Sequence, residues 1–235
     1  TTSTVGSAVD LACKTLQQKL KEIAIKSVPV FAGMNAEALE VKNEMVISKT
    51  DTNAKMAIVD VLKLANQDKI DLTITSNGKT AAQLKFTSNS FSAHFVKLGV
   101  NPKDGTIKIL QVVTTGDAGK IISPKTARSQ MLGGVVGGIG MALSEKLEID
   151  HKTGQIINAS FGGYHVPLHS QIPPTDVWFV NKPDPNINDI GAKGIGEIAL
   201  IGFAAAITNA VYNATGKRVR DLPITPEKLG FKSKV

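Results

Sequence analysis

A chain of 235 residues, 42% hydrophobic and 20% charged, can bury a substantial core as one large domain or two smaller ones. The net charge of +7 comes from lysines scattered singly, and aromatics at 5% offer no basic–aromatic interleaving, which argues against nucleic acid and for a solvated or subunit-docking surface. One cysteine excludes an intrachain disulfide and any iron–sulfur cluster held by this chain alone. No apolar run approaches the roughly 18 residues of a membrane span, so none is expected.

Apolar residues at Val9, Ala12, Cys13, Leu16, Leu20 and Ile23 recur at helical spacing and predict a helix over 7–25. The preceding Ser3–Ser7 run supplies hydroxyls and backbone donors at its entrance, and Cys13 reads as a small core residue. A strand at 39–48, a helix at 54–65 and an alternating strand at 70–75 follow, then a polar connector at 80–90. Residues 92–100 and 106–114, joined by Asn101-Pro102-Lys103-Asp104-Gly105, predict a hairpin ended by Thr115–Gly119. Pro124 suits the first turn of a helix running to about Leu147. Within it, Gly133, Gly134, Gly137, Gly138 and Gly140 each cost roughly 1 kcal/mol relative to alanine, which calls for close approach of another helix or a ligand. A turn at 150–154, strands at 155–160 and 176–181, an apolar helix at 198–215 and an extended tail at 219–226 complete the chain. The expected class is α+β, with two mixed α/β subdomains at 1–90 and 91–235.

The stretch Gly191-Ala192-Lys193-Gly194-Ile195-Gly196-Glu197 places a carboxylate where a glycine-rich loop becomes a helix. Two readings stand side by side. Glu197 complements the helix dipole, or the loop cradles an anionic ligand with Glu197 poised over it. The G-x-x-G-x-G order, after a proline-rich loop, is not a dinucleotide fingerprint. His165 and His169 lie four apart, but Pro167 argues against a helix there and no Cys or carboxylate cluster adds ligands, so no protein metal site is predicted. His94, in a strand pattern, reads as packed and His151, in a turn, as solvated. Neither a Gly-x-Ser-x-Gly elbow nor a phosphate loop of the Gly-Lys-Ser/Thr type occurs.

Four motifs in order carry a resemblance: Thr1-Thr2-Ser3-Thr4-Val5-Gly6-Ser7-Ala8, Gly116–Pro124, Ala127-Arg128-Ser129-Gln130-Met131-Leu132-Gly133-Gly134, and Ala192–Glu197. With the closing Thr215–Pro226, they resemble the C-terminal half of the molybdopterin-binding subunit of the xanthine dehydrogenase/aldehyde oxidase family. The likeness is close over 91–229 and one of layout over 8–90; Ser123 stands where the family commonly has asparagine. The resemblance implies an oxidoreductase that hydroxylates an aldehyde or N-heterocycle with water, Glu197 being general base beside molybdenum. It implies that Gln130 hydrogen-bonds the cofactor, and that Thr2, Ser3, Thr4 and the Lys193, Gly194 and Gly196 backbone hold the pterin and its phosphate. The cytosine dinucleotide is one form that the molybdenum–molybdopterin can take. Further implied are the N-terminal part of the same subunit, an iron–sulfur partner, an FAD subunit or domain, and a small-molecule substrate. An isolated chain is expected to hold little molybdenum, and both cytoplasm and periplasm stay open as compartments. The alternative from another class is a non-catalytic α/β scaffold that binds a simple anion and docks on a partner.

Overall fold

In the computed structural model, residues 2–76, 80 and 83–232 are described, and the chain divides into two compact units, Thr1–Thr80 and Ala81–Val235. Thr1 of the opening motif and residues 81 and 82 of the expected connector lie outside the described residues.

The first unit begins with α1 (Thr2–Ser27), whose burial is confined to Leu20 and Ala24. These pack with Val28, Phe31, Leu39, Val46, Ala54 and Val61 into one cluster. The helix starts at Thr2, five residues before the expected start at residue 7, and takes in the run expected at its entrance. Ser7 Oγ donates back to the Ser3 carbonyl at 2.7 Å, so the hydroxyls are used within the helix rather than ahead of it. Cys13 is exposed, not buried: the apolar stripe continues past the part of α1 that reaches the core, leaving Val5, Val9 and Leu16 exposed as well. The single strand expected at 39–48 is two strands, β1 (Leu39–Lys42) and β2 (Met45–Ser48), paired antiparallel from Leu39–Ser48 to Lys42–Met45. Asn43 and Glu44 take φ of 49° and 60°, the backbone of a two-residue hairpin turn that matches strand twist. β3 (Lys55–Ala57) joins β2 and delays α2 to Ile58–Leu64. Residues 70–75 pair with no strand: their alternation found no ladder to join.

The second unit is a three-stranded sheet covered by helices. β4 (Phe91–Val100) and β5 (Ile107–Asp117) form the expected hairpin, in register from Phe91–Asp117 to Val100–Ile107 with an irregularity at Lys97/Leu98. β6 (Thr175–Phe179) lies parallel to β5 on its other side. Three helices accompany the sheet: α3 (Pro124–Leu143), α4 (Ile198–Ile201) and α5 (Phe203–Thr215). Val112 of β5, Val135 and Ile139 of α3, and Phe203, Ile207 and Val211 of α5 form the centre of its core. Residues 83–90 also belong here: Gln83 Nε2 donates to the Pro185 carbonyl at 3.3 Å, and the Ser88 hydroxyl donates to Asp184. Those bonds draw the compact-unit division to 80/81, ten residues before the sequence-based boundary.

α3 stops at Leu143 rather than 147 because the amides of Ser144 and Glu145 both turn back to the Gly140 carbonyl. The expected strand at 155–160 reduces to one bridge, Ile149–Ile156. The expected helix at 198–215 breaks at Gly202. That stretch is apolar and long enough to match a membrane span, with a mean hydropathy of 1.4. Its break, and the row Ala199, Phe203, Ile207 and Val211 turned into the core, are those of helices packed on a sheet.

The α3 glycines explain that packing. A Cβ on Gly134 would lie 2.6 Å from Ala199 Cβ and 2.9 Å from the Leu200 amide, and one on Gly138 would lie 2.6 Å from Phe203 Cβ. Gly133 meets nothing within 4 Å. Opposite outcomes are therefore expected from neighbouring substitutions. Gly134→Ala forces α4 away from α3 and should cost about 1–3 kcal/mol despite alanine's better helix propensity. Gly133→Ala should gain up to about 1 kcal/mol. Denaturation followed through Trp178, the sole tryptophan, reads both in the second unit.

Candidate active site

The loop ahead of Glu197 is built onto the end of β5. Gly119 and Ala192 form an antiparallel bridge, the Lys193 amide donates to the Ala118 carbonyl at 2.8 Å, and the Lys120 amide donates to the Gly191 carbonyl at 2.8 Å. A Cβ on Gly119 would stand 2.2 Å from the Gly191 oxygen, and both glycines hold left-handed φ, +67° and +68°. The buried Asn188 side chain clamps Ala192 from both sides, donating to its carbonyl at 2.7 Å and accepting from its amide at 3.1 Å. Beneath the loop, buried Lys193 places Nζ 3.0 Å from Asp117 Oδ2, while Asp117 Oδ1 accepts from the Gly119 amide at 3.1 Å. Burial works to raise the Asp117 carboxyl, but the Gly119 amide and the Lys193 ammonium outweigh it and hold it below its ordinary value.

Past Lys193 the loop changes character. Gly194 has nothing within 4 Å of where a Cβ would be, and Gly196 has only Gln130 Oε1 at 3.8 Å. Gly119 and Gly191 are glycines because this chain crowds them; Gly194 and Gly196 leave backbone bare toward open space. Gln130, exposed on α3, is thereby brought beside Gly196. Glu197 occupies the position before α4 with φ −127° and ψ 3°, and its side chain makes no capping hydrogen bond. Its carboxylate is exposed. The helix therefore draws no side-chain cap from Glu197, and the four-residue α4 has little dipole to complement.

Of the residues expected at a site, Gln130, Lys193, Gly194, Gly196 and Glu197 lie in the second unit, on α3 and the 191–197 loop. Thr2, Ser3 and Thr4 lie in the first, in the opening turn of α1. The Lys193 amide is taken by Ala118 and its ammonium by Asp117, so what Lys193 offers outward is less than the sequence suggested. His165 and His169 are exposed, and among the described residues no group of three or more His, Cys, Asp or Glu could hold a metal.

Sequence reasoning missed the supports on β4 and at Ser90, the residue just before it. Ser90 Oγ donates to the Gly194 carbonyl, and Ser92 Oγ donates to the Ile198 carbonyl at 2.6 Å. Since the Ser92 proton is engaged, His94 Nε2–H donates to Ser92 at 3.0 Å and Nδ1 accepts from the Thr114 hydroxyl at 2.8 Å, which fixes the neutral tautomer. The signal was available: Ser90, Ser92 and His94 alternate on the same side of the strand as Val96 and Leu98, polar residues where the core pattern asks for apolar ones.

Burial holds His94 below the usual imidazole value, offset only in part by the Ile198 carbonyl. A histidine depressed in the folded state contributes stability that is present above its ordinary pKa and lost as pH falls below it. The second unit should therefore weaken as pH falls below about 6.5, the ordinary imidazole value. His94→Gln should flatten that fall in denaturation curves read through Trp178; an unaltered slope would remove His94 as its source.

The family model "Molybdopterin cofactor-binding domain" matches residues 1–173. The chain is 45% identical over 145 residues to the aldehyde oxidoreductase molybdenum-binding subunit PaoC of Escherichia coli K12, covering 62% of this chain and 20% of that protein. It is 32% identical over 178 residues to the aldehyde oxidoreductase of Megalodesulfovibrio gigas, covering 72% of this chain and 19% of that one. Its fold is shared by quinoline 2-oxidoreductase from Pseudomonas putida 86, with a TM-score of 0.73 at 19% identity over 93% of this chain and 28% of that chain. The chain thus spans about a fifth of the length of these curated relatives. A cofactor-binding family model over most of the chain, relatives that are molybdenum-binding oxidoreductases and a matching fold give one conclusion: this chain belongs to the molybdopterin cofactor-binding domain family of the molybdenum hydroxylases.

Proposed function

We propose that this chain forms the part of a molybdenum hydroxylase's catalytic subunit that presents the general base, Glu197, to the reacting centre. The observation that carries the reading is the contrast within one loop. Gly191, Ala192 and Lys193 are fastened to the protein, whereas Gly194 and Gly196 leave bare backbone beside an exposed carboxylate unused in capping. A pterin fits such a surface. Backbone without Cβ atoms lets a flat, polar ring system approach closely, and Gln130 beside Gly196 adds an amide able both to donate and to accept. Bound molybdopterin supplies two-electron redox chemistry at molybdenum, with water as the source of the inserted oxygen. Within this chain, Glu197 takes up the proton that the attacking oxygen gives up as it bonds to the substrate carbon. Gln130 and the Gly194–Gly196 backbone hold the cofactor's edge.

The substrate is an aldehyde or an N-heterocycle, classes in keeping with the aldehyde oxidoreductases among the relatives. The electrons leave through an iron–sulfur partner and an FAD subunit or domain. Cys13, the single thiol, cannot hold a cluster, and PaoC is itself described as a subunit. The rest of the molybdenum-binding polypeptide completes the site, since this chain covers about a fifth of such a protein.

In the complete enzyme, Glu197→Gln should retain molybdenum and pterin while turnover falls roughly 10²–10⁴-fold, the range of a lost general base. Normal turnover in that variant would overturn the base assignment. The chain by itself should fold and carry far less than one molybdenum per protein by metal analysis; stoichiometric metal would overturn the view that it is part of a site.

A further inference from the structure

Four residues before Glu197, the fold places a charge inside itself. Lys193 leaves only 7% of its side chain exposed, and the Asp117 partner leaves 33%. The ammonium sits 3.0 Å from Asp117 Oδ2 and 5.9 Å from the centre of the Phe91 ring. A lysine in a surface loop ordinarily keeps its ammonium in water. Here it turns inward under the loop, and the carboxylate it meets stands at the last residue of β5. The loop's backbone contacts with 118–120 end at Lys193; the next tie is the Ser90 hydroxyl on the Gly194 carbonyl. The ion pair is therefore the last charged anchor before the bare segment 194–197.

We infer that Asp117 and Lys193 are positioning residues for the molybdenum hydroxylase reaction: their buried ion pair fixes the 191–197 loop so that the Gly194–Gly196 backbone and the Glu197 carboxylate face the cofactor. This rests on the reading of Glu197 as the base. Neither side chain touches the reacting atoms; both act through the loop. Removing one member of a buried pair strands the other charge, and the two partners are unequal in this respect. Asp117→Asn leaves an ammonium with almost no access to water. Lys193→Met leaves a carboxylate that reaches solvent and keeps its Gly119 amide.

The test uses the complete, cofactor-loaded enzyme with Asp117→Asn, Lys193→Met and the double variant. Amide hydrogen exchange over 194–197 should accelerate roughly tenfold or more in each single variant, with α5 at 203–215 unchanged. Asp117→Asn should show the larger effect, and the double variant should be no worse than Asp117→Asn, because the pair is already broken there. Turnover should fall chiefly in kcat with KM little moved, since a misplaced base costs transition-state stabilisation rather than substrate binding. Molybdenum content, measured alongside, separates loss of the base's placement from loss of the cofactor: retained molybdenum with lowered kcat supports the proposal. Unchanged exchange at 194–197 in Lys193→Met, or effects that simply add in the double variant, would overturn it. Should Asp117→Asn fail to fold, Lys193→Met decides alone, having the milder consequence. Glu197→Gln serves as the control for the underlying reading. If it stays active, the base assignment fails while the exchange result still judges the ion pair as a loop anchor.

Discussion

The candidate site depends on one backbone crossing. Where β5 ends, Gly119 passes so close to Gly191 that a single added carbon on Gly119 would fall 2.2 Å from a carbonyl oxygen. Any side chain there would push apart two segments some 70 residues distant in sequence, and with them the bonds from Lys120 and Lys193 that zip the loop to the sheet end. Because the crossing is made of main chain, its geometry is independent of rotamers. It transmits the rigidity of a β-strand to a loop that has no regular structure of its own. The buried Lys193–Asp117 pair then adds direction, since a charge held inside the fold tolerates few alternative positions.

A second use of glycine lies behind the loop. Gly134 and Gly138 let α4 and the start of α5 lie almost backbone to backbone against α3. This closeness sets where Ile198, and so Glu197, begins its turn. Ser92 then reaches from β4 to the Ile198 carbonyl, supported by His94 and Thr114. The carboxylate is thus bracketed: strand ends fix the chain before it, and a helix contact with a strand hydroxyl fixes the chain after it. Between them the Gly194–Gly196 backbone is held by the Ser90 hydroxyl at the Gly194 carbonyl, with open space where a Gly194 side chain would be.

Features set by local chemistry were legible in the sequence. The hairpin at 101–105, the start of α3 at Pro124 and the need for a close neighbour at the α3 glycines all follow from residues near one another. What depended on distant partners was not. Alternation at 70–75 and the apolar pair Ile156-Ile157 within 155–160 resemble real strands, but a strand exists only where another offers its ladder. The apolar stripe of α1 could not reveal that its first half, with Cys13, would lie beyond the core. Likewise the sequence could not show that the Glu197 side chain makes no capping bond to the helix that follows it. The anchors on β4 were visible only as polar residues out of place in an inward-facing register, a signal that gains meaning once the loop they hold is known.

The exposed Cys13 in the first unit and Trp178 in the second are each the only residue of their kind, and Trp178 is 66% exposed. The native sequence therefore carries one thiol for attaching a fluorescent acceptor and one indole donor, a unit apart. Energy transfer between them would read the distance from residue 13 to residue 178 in this chain without altering a residue.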